Sequence, residues 1–380
     1  QHSINDKAQN IHSGADTMRR RPSVVLGASG LVGQRMQQRL HHHPWFEMKA
    51  VGGSASTAGT LLNDVPWRLQ ENRPDIPSLV VHDVLGTSFV QDMLDLEIEV
   101  AFSCLPSEAA ERIESALTKA GIAVFSNASH HRREEGIPLV IPDVNPDHMM
   151  AFASSKGAHA CGTNCTLVPL ASPLAALRGF GIERVSMRSE QALSGAGWRL
   201  LHDQDAHAGH LSPDIPGEAE KVCEELLHVF GEIEHVHVTP AEFDVEVHCQ
   251  RVARPDGHQV YVEVEFSDPV TRELVTEALR SHDWETVAKS CPSTPHRPLH
   301  LVERIDVSEH LWSDGIQFTT NPDPSINLKT GMAVVVGNIE IKSPHSISFA
   351  GYSHNTIRGA AGGTLFLAEL ALIEGRFSQA

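Results

Sequence analysis

The chain has 380 residues, too many for one ordinary hydrophobic core, and predicts two domains at roughly 150 residues each. Its 41% hydrophobic and 21% charged residues are typical of globular proteins, and no apolar stretch approaches the ~18 residues of a membrane span. We therefore expect a soluble protein. The formal net charge of −18 argues against nucleic acids and membranes as partners, so any small anion must be bound by a few well-placed cations.

The six cysteines are scattered through the chain, at positions 104, 161, 165, 223, 249 and 291. Without an apolar signal segment, we expect a reducing, cytoplasmic setting rather than a disulfide framework, although Cys161 and Cys165 could pair. The 24 histidines lack cysteine partners at zinc-site spacing. We predict no metal site and keep a histidine-rich metal binder as an alternative.

The start of the chain, residues 1–21, is polar, lacks periodicity and ends in three arginines. It is predicted to be a disordered extension, with a leader before Met18 as the alternative. From residue 23 a short apolar strand, a glycine-rich turn and a helix follow. Further buried-strand runs, with helical stretches between several of them, predict a doubly wound parallel sheet of Rossmann type. These runs span 48–51, 80–84, 99–103 and 123–126.

The glycine-rich turn, Gly27-x-x-Gly30-x-x-Gly33, is predicted to bind the pyrophosphate of a dinucleotide. Taken alone, the pattern also fits an ordinary strand-to-helix turn. The acidic residue expected about 20 residues further on is missing, and hydroxyl side chains follow the second strand instead. Since hydroxyls accept a 2′-phosphate that a carboxylate would repel, NADP is predicted rather than NAD. The predicted cofactor residues in this half of the chain are Gly27, Ser29, Gly30, Leu31, Val32, Ser54, Ser56 and Thr57, with Ser103, Leu105 and Pro106 on the nicotinamide side.

After residue 165 the sequence changes to longer alternating strands, such as 243–252 and 259–266. This pattern predicts a second, α+β domain with a largely antiparallel sheet, one face of which stays open or meets a partner. The apolar helical segment from Asn355 to about Ile373 is predicted to pack back on the first domain. We therefore predict a dinucleotide-binding domain, 22–165 plus 355–380, and a catalytic and dimerisation domain, 166–354.

Cys165 is the candidate nucleophile. Leucines at helical spacing from Leu167 onward predict a helix that begins at or just after Asn164 and carries Cys165 in its first turn. The unpaired amides of a helix start favour a thiolate. On its own, the pattern also fits a small buried cysteine.

Five sequence blocks together carry a resemblance to a known family. They are Gly27–Gly33, Ser126–Arg132, Asn164–Thr166, Gln191–Gly197 and Arg251–His258. In these blocks and in their order, from about residue 23 to the C-terminal helix, the chain resembles the aspartate-β-semialdehyde dehydrogenases of archaeal and fungal type. The resemblance implies NADPH-dependent reduction of β-aspartyl phosphate to aspartate β-semialdehyde, with phosphate released. It also implies at least a homodimer, and we expect a homodimer or homotetramer.

The resemblance implies that Cys165 is the nucleophile, that Gln191 orients the covalent intermediate and that His258 is the general acid and base. Further cofactor contacts are predicted at Ser194, Gly195 and Asn355.

On the substrate side, the resemblance implies that Arg251 grips the α-carboxylate through two parallel hydrogen bonds, a geometry that guanidinium supplies. Glu218 and Lys221 are implied to hold the amino group and the phosphate. Arg132 is implied to be a second anion-binding arginine, with Asn164 beside the leaving phosphate.

The chain departs from the usual family sequence at Thr163, Ala219, Ala253 and Asn338. These changes keep the reacting groups and leave the substrate open. A reductase of another acyl phosphate or of an acyl-CoA, such as malonyl-CoA, would need Glu218 and Lys221 less. A catalytically silent NADP-binding regulatory protein would need none of the catalytic residues.

Overall fold

The computed structural model describes residues 19–152 and 158–376. Most of the predicted N-terminal extension lies outside these residues, and the first strand already begins at Arg21. The strands are β1 (Arg21–Leu26), β2 (Phe46–Gly53), β3 (Val81–Asp83), β4 (Val100–Ser103), β5 (Ala123–Ser126), β6 (His159–Cys161), β7 (Ile182–Gln191), β8 (Glu232–Glu234), β9 (His237–Thr239), β10 (Asp244–Arg251), β11 (His258–Phe266), β12 (Leu299–Leu301), β13 (Val334–Ser343) and β14 (Ser346–Ser353). The helices are α1 (Leu31–Leu40), α2 (Phe89–Asp95), α3 (Ser107–Lys119), α4 (Leu167–Leu177), α5 (Trp198–Leu201), α6 (Gln204–His207), α7 (Glu218–Val229), α8 (Arg272–Ser281) and α9 (Gly362–Ile373).

The first sheet has six strands in the order β3-β2-β1-β4-β5-β6, and each neighbouring pair is parallel. This is the strand order of a dinucleotide-binding sheet, and it confirms the predicted Rossmann-type fold. Val24, Val25 and Leu26 are fully buried, because both faces of a parallel sheet are covered. The carboxyl ends of β1 and β4 form the edge where a ligand is expected.

The second sheet has the order β10-β7-β11-β14-β13-β12. Its three central pairings are antiparallel and its two outer pairings are parallel, which confirms a largely antiparallel sheet. In β11, buried Val260, Val262 and Val264 alternate with more exposed residues such as Tyr261. The buried face packs on α4 in one hydrophobic core, and the opposite face is open in the single chain.

Helix α9 packs against the first sheet, as predicted for the C-terminal segment. Leu365, Phe366 and Leu370 share one buried core with Phe102 and Phe125 of β4 and β5. The chain therefore returns to the first sheet after completing the second. No helix within 19–152 and 158–376 combines the length and the apolar character that spanning a membrane requires.

Candidate active site

Three of the predicted catalytic and substrate residues lie at one edge of the second sheet. Gln191 and Arg251 are register partners at the carboxyl ends of the parallel strands β7 and β10. His258 begins β11, the other neighbour of β7. A carbon added to Gly195 would lie 2.8 Å from Arg251 Nη1 and 3.0 Å from His258 Nε2, so these side chains share one small space. Gln191 is 2% exposed, and its nearest polar partner is Ser189 Oγ at 3.4 Å.

Cys165 lies in a turn just before α4. The helix begins at Leu167, so the prediction that Cys165 occupies the first helical turn is wrong by two residues. Its neighbour is Gly359, where an added side-chain carbon would come within 2.8 Å of Cys165 Cβ. Only glycine therefore permits this approach, and it leaves the cysteine half-buried.

The surroundings of Cys165 raise the pKa of its thiol. Burial raises its pKa to about 12, Glu218 adds to the rise, and the positive charges of Arg132 and Arg251 act against it. The backbone amide of Cys165 lowers this pKa, as expected at a helix start, but burial and the carboxylate of Glu218 outweigh its effect. A thiolate is favoured when the negative charge of Glu218 is neutralised, because the charges of Arg132 and Arg251 then dominate.

His258 is a neutral hydrogen-bond donor. It is fully buried, and its Nδ1 accepts the backbone N–H of Ala192 at 3.0 Å. Because an amide can only donate, the neutral ring carries its proton on Nε2, which has no hydrogen-bond partner among the described residues. Burial, followed by the charges of Arg251 and Arg254, holds the pKa of His258 well below its usual value. The ring is suited to stabilise a developing oxyanion at Nε2.

A chain of hydrogen bonds joins four polar side chains beside the cysteine. Arg132 Nη1 donates to Glu225 Oε1 at 2.8 Å, and Glu225 Oε2 accepts the backbone N–H of Asn164 at 2.7 Å. Asn164 Nδ2 in turn donates to Glu218 Oε1 at 2.9 Å. Burial lowers the pKa of Arg132, but Glu225 reverses this and raises it overall. This chain brings together three of the predicted substrate residues.

Glu225 was not among the predicted site residues. It is 3% exposed and follows Glu218 by two helical turns on α7, so both carboxylates face the same side. That spacing was a usable signal. Lys221, by contrast, is exposed and forms no ion pair with the described residues, so the structure does not join it to this network.

One guanidinium nitrogen of Arg251 makes a structural hydrogen bond to the backbone. Nη1 donates to the carbonyl of Ala192 at 2.7 Å, and the N–H of the same residue holds His258. Arg251 therefore positions the histidine through Ala192 while its other nitrogens remain open to a ligand.

The glycine-rich turn has the geometry of a phosphate cradle. Gly27 has φ +79°, and an added side-chain carbon would lie 2.5 Å from the carbonyl oxygen of Cys104, so no other residue fits. α1 begins at Leu31 and continues with Val32, with its unpaired amides beside the turn. Among the predicted nicotinamide-side residues, Leu105 is nearly buried and Pro106 is exposed, whereas Ser103 is fully buried within the sheet.

A cavity of about 390 Å³ lies next to this turn. Four predicted cofactor residues line it, namely Ser29, Ser54, Ser56 and Thr57. Its cationic side, formed by Arg68 and Arg199, was not predicted from the sequence. The Arg68 guanidinium lies 3.4 Å above the centre of a ring of Trp198, which also lines the cavity. Arg68 follows β2 and Trp198 begins α5, so no local pattern links them. One carboxylate, Asp64, also lines the cavity, but the hydroxyls and the two arginines outnumber it and together fit a bound phosphate.

The glycine-rich turn and the catalytic edge are physically connected. Leu31 packs in the same buried cluster as Leu193. Asn355 donates to Ser194 Oγ at 2.8 Å and accepts the N–H of Gly257 at 2.8 Å, beside His258. The predicted cofactor residues Ser194, Gly195 and Asn355 therefore lie between the two halves of the site.

Comparison with known proteins shows which family the chain resembles over nearly its whole length. Residues 24–152 match the family described as semialdehyde dehydrogenase, NAD binding domain. The aspartate-semialdehyde dehydrogenases of Aspergillus fumigatus and Archaeoglobus fulgidus are each 32% identical, covering 92% of this chain and 97% of their own. The crystal structure of aspartate semialdehyde dehydrogenase with NADP from Candida albicans has a TM-score of 0.76 at 30% identity, covering 94% of this chain and all of its own. Similarity at this level over nearly the full length shows that the chain belongs to the aspartate-semialdehyde dehydrogenase family.

Proposed function

We propose that the protein reduces L-β-aspartyl phosphate to L-aspartate β-semialdehyde with NADPH, and catalyses the reverse, phosphate-dependent oxidation. One observation carries this proposal: hydrogen bonds link Arg132, through Glu225 and Asn164, to Glu218 beside the half-buried thiol of Cys165. Arg251 and Arg132 complement the carboxylate and the phosphate of the substrate, and Glu218 complements its ammonium group. A substrate without an amino group, such as malonyl-CoA, leaves the negative charge of Glu218 without a cationic partner.

In the first step, the thiolate of Cys165 attacks the acyl carbon. A carbon–sulfur bond forms and the carbon–oxygen bond to phosphate breaks. Phosphate leaves toward Arg132 and Asn164 and takes from solvent the one proton that the overall reaction consumes. Reduced nicotinamide, when bound, supplies the hydride that the thioester carbon accepts. His258 Nε2–H stabilises the oxyanion, and Gln191 holds the covalent adduct in place. The carbon–sulfur bond then breaks and releases the aldehyde and the thiolate.

Substrate binding supplies the missing activation of the thiol. Glu218 raises the pKa of Cys165 in the free protein. An ammonium group bound to Glu218 cancels that field, and the charges of Arg132 and Arg251 then favour the sulfur anion. The thiolate forms when the substrate is present to react with it.

This mechanism predicts opposite effects of Glu218→Gln on the thiol and on turnover. Removing the negative charge lowers the pKa of Cys165, so iodoacetamide should label it faster at a fixed pH near neutrality. Catalytic efficiency should nevertheless fall, because the ammonium group loses its partner. Peptide mass spectrometry would follow labelling at Cys165, with Glu220→Gln on the same helix as the control. Unchanged or slower labelling in Glu218→Gln would contradict the charge assignment.

NADP fits the cofactor side of the site. Gly27 admits the close approach of a pyrophosphate, and the cavity beside it offers hydroxyls and the two arginines that a 2′-phosphate requires. We propose that Arg68 contributes to this selectivity together with Ser54, Ser56 and Thr57.

Replacing Arg68 with methionine should raise the KM for NADP about tenfold or more, since a hydrogen bond to a charged group is worth about 1.5–3 kcal/mol. The KM for NAD should change little, because NAD has no 2′-phosphate. Steady-state assays with both cofactors measure the difference, and Arg112→Met, an exposed arginine of α3, is the control. An equal loss with NAD and NADP would exclude Arg68 from 2′-phosphate recognition.

The activity itself is tested by the reverse reaction. With aspartate β-semialdehyde, phosphate and NADP⁺, the protein should form NADPH at a rate that depends on phosphate. Coenzyme A in place of phosphate, with malonate semialdehyde as substrate, tests the acyl-CoA alternative. NADP binding without turnover of either substrate would favour a silent regulatory protein.

We also propose that the two sheets divide the work as predicted, with 22–165 plus 355–380 binding the dinucleotide and 166–354 providing catalysis and dimerisation. The open face of the second sheet, with Tyr261 exposed, supports a homodimer or homotetramer through this face. The six free cysteines support a reducing, cytoplasmic setting. Light scattering of the purified protein would give the oligomeric state.

A further inference from the structure

The loop that carries Arg132 also brings together two histidines and a glutamate. His130, His131 and Glu134 each offer one ligand atom, and these atoms lie within 4.8 Å of one another. His131 Nδ1 lies 3.0 Å from Glu134 Oε1, and the two histidine rings are 4.6 Å apart. Arg133 has φ +67°, an uncommon conformation for a non-glycine residue, and this turns the chain so that His131 and Glu134 face each other. A metal cation would replace the proton between those two atoms.

Helix α3 places a carboxylate behind each histidine. Glu114 Oε2 lies 3.9 Å from His131 Nε2, and Glu111 Oε1 lies 4.0 Å from His130 Nε2. Glu114 is fully buried, and its Oε2 also lies 3.2 Å from Nε2 of His159, so it serves two histidines. A carboxylate behind a histidine commonly orients the ring and strengthens it as a metal ligand. With Glu114 on the Nε2 side of His131, the Nδ1 atom of that ring faces Glu134.

The cluster is open on one side. The side chains of His130 and Glu134 are 32% and 48% exposed, whereas that of His131 is 5% exposed. A hydrated cation can therefore reach the outer two ligands directly and bind the buried ligand last. Water can complete its coordination from the solvent side.

We propose that His130, His131 and Glu134 form a binding site for a divalent transition-metal cation of the Zn²⁺ class. Two imidazoles, one carboxylate and one water make a common tetrahedral set for zinc. No metal site was predicted from the sequence, because these histidines lack cysteine partners at zinc-site spacing and the proximity of α3 is not visible in the sequence. The cation is proposed to fix the loop around Arg132, which pairs with Glu225 at 2.8 Å.

Isothermal titration of the full chain with ZnCl₂, in the Cys165→Ala background, tests the site without interference from the reactive thiol. We expect one equivalent to bind and to raise the melting temperature, because a ligand that binds only the folded state stabilises it. Glu134→Gln should weaken binding by about tenfold or more, since even residues behind the ligands are worth about 10–100-fold. His130→Gln should do the same, and both positions are exposed enough to leave folding intact.

The matched control is the double variant His41→Gln/His42→Gln, which removes an adjacent histidine pair elsewhere on the surface and should leave the affinity unchanged. The proposal is overturned if no equivalent binds, if Glu134→Gln binds Zn²⁺ as tightly as the parent, or if the control variant loses the bound equivalent.

Discussion

Replacing Cys165 with alanine is expected to abolish turnover, with kcat falling about 10⁴-fold or more, as when other covalent nucleophiles are removed. The remaining groups can bind both substrates but cannot form the thioester. Because Cys165 lies outside the glycine-rich turn and the serine-lined cavity, the affinity for NADPH should be unchanged. Stopped-flow absorbance would measure turnover, and a fluorescence titration with NADPH would measure the affinity for the cofactor.

The matched control is Cys223→Ala, which removes another half-buried thiol, on α7, and should keep full activity. Turnover that survives in Cys165→Ala would remove this residue from the mechanism. Loss of NADPH binding in the same variant would show that the substitution disturbs the fold rather than the chemistry.

Replacing Arg251 with lysine should lower kcat/KM for the semialdehyde about 100-fold, since truncating one partner of a buried charge pair costs about 2–5 kcal/mol. An ammonium group cannot hold the carbonyl of Ala192 and also form two parallel bonds to a carboxylate. The lost contact at Ala192 should also loosen His258, so both KM and kcat are expected to change. The KM for NADP should stay constant.

Arg272→Lys, at an exposed position on α8, is the control for a change of cationic side chain. Initial rates over a range of semialdehyde and NADP concentrations would separate the effect on kcat from the effects on the KM for the semialdehyde and the KM for NADP. If kcat/KM is unchanged in Arg251→Lys, the α-carboxylate of the substrate is bound by another cationic residue.

Much of the fold could be predicted because it follows local rules. The parallel strands β4 and β5 consist of continuous buried residues, and β11 alternates, so their periods identify both sheets. The boundaries were less certain, since the run predicted at 80–84 became a strand of only three residues, Val81–Asp83. The parallel pairing of β10 with β7 could not be predicted, because it depends on how two distant strands meet.

The site was predictable where the chemistry is carried by a motif and not where it depends on distant contacts. Cys165, Asn164 and His258 stand in recognisable blocks, and the structure places each of them in or beside the hydrogen-bonded site. Arg68 could not be predicted, because it lines the serine-rich cavity only by stacking on Trp198 of α5, a residue far away in the sequence. The raised pKa of the thiol follows from burial and from Glu218, neither of which can be deduced from the residues beside Cys165.

The close approach of Gly359 to Cys165 has a consequence for the order of folding. During synthesis the cysteine leaves the ribosome long before the glycine on which it packs, and the intervening chain forms the entire second sheet. The nucleophile can therefore reach its working position only after α9 and the turn before it have docked on the first sheet. A protein of this design acquires its catalytic chemistry at the last stage of its assembly.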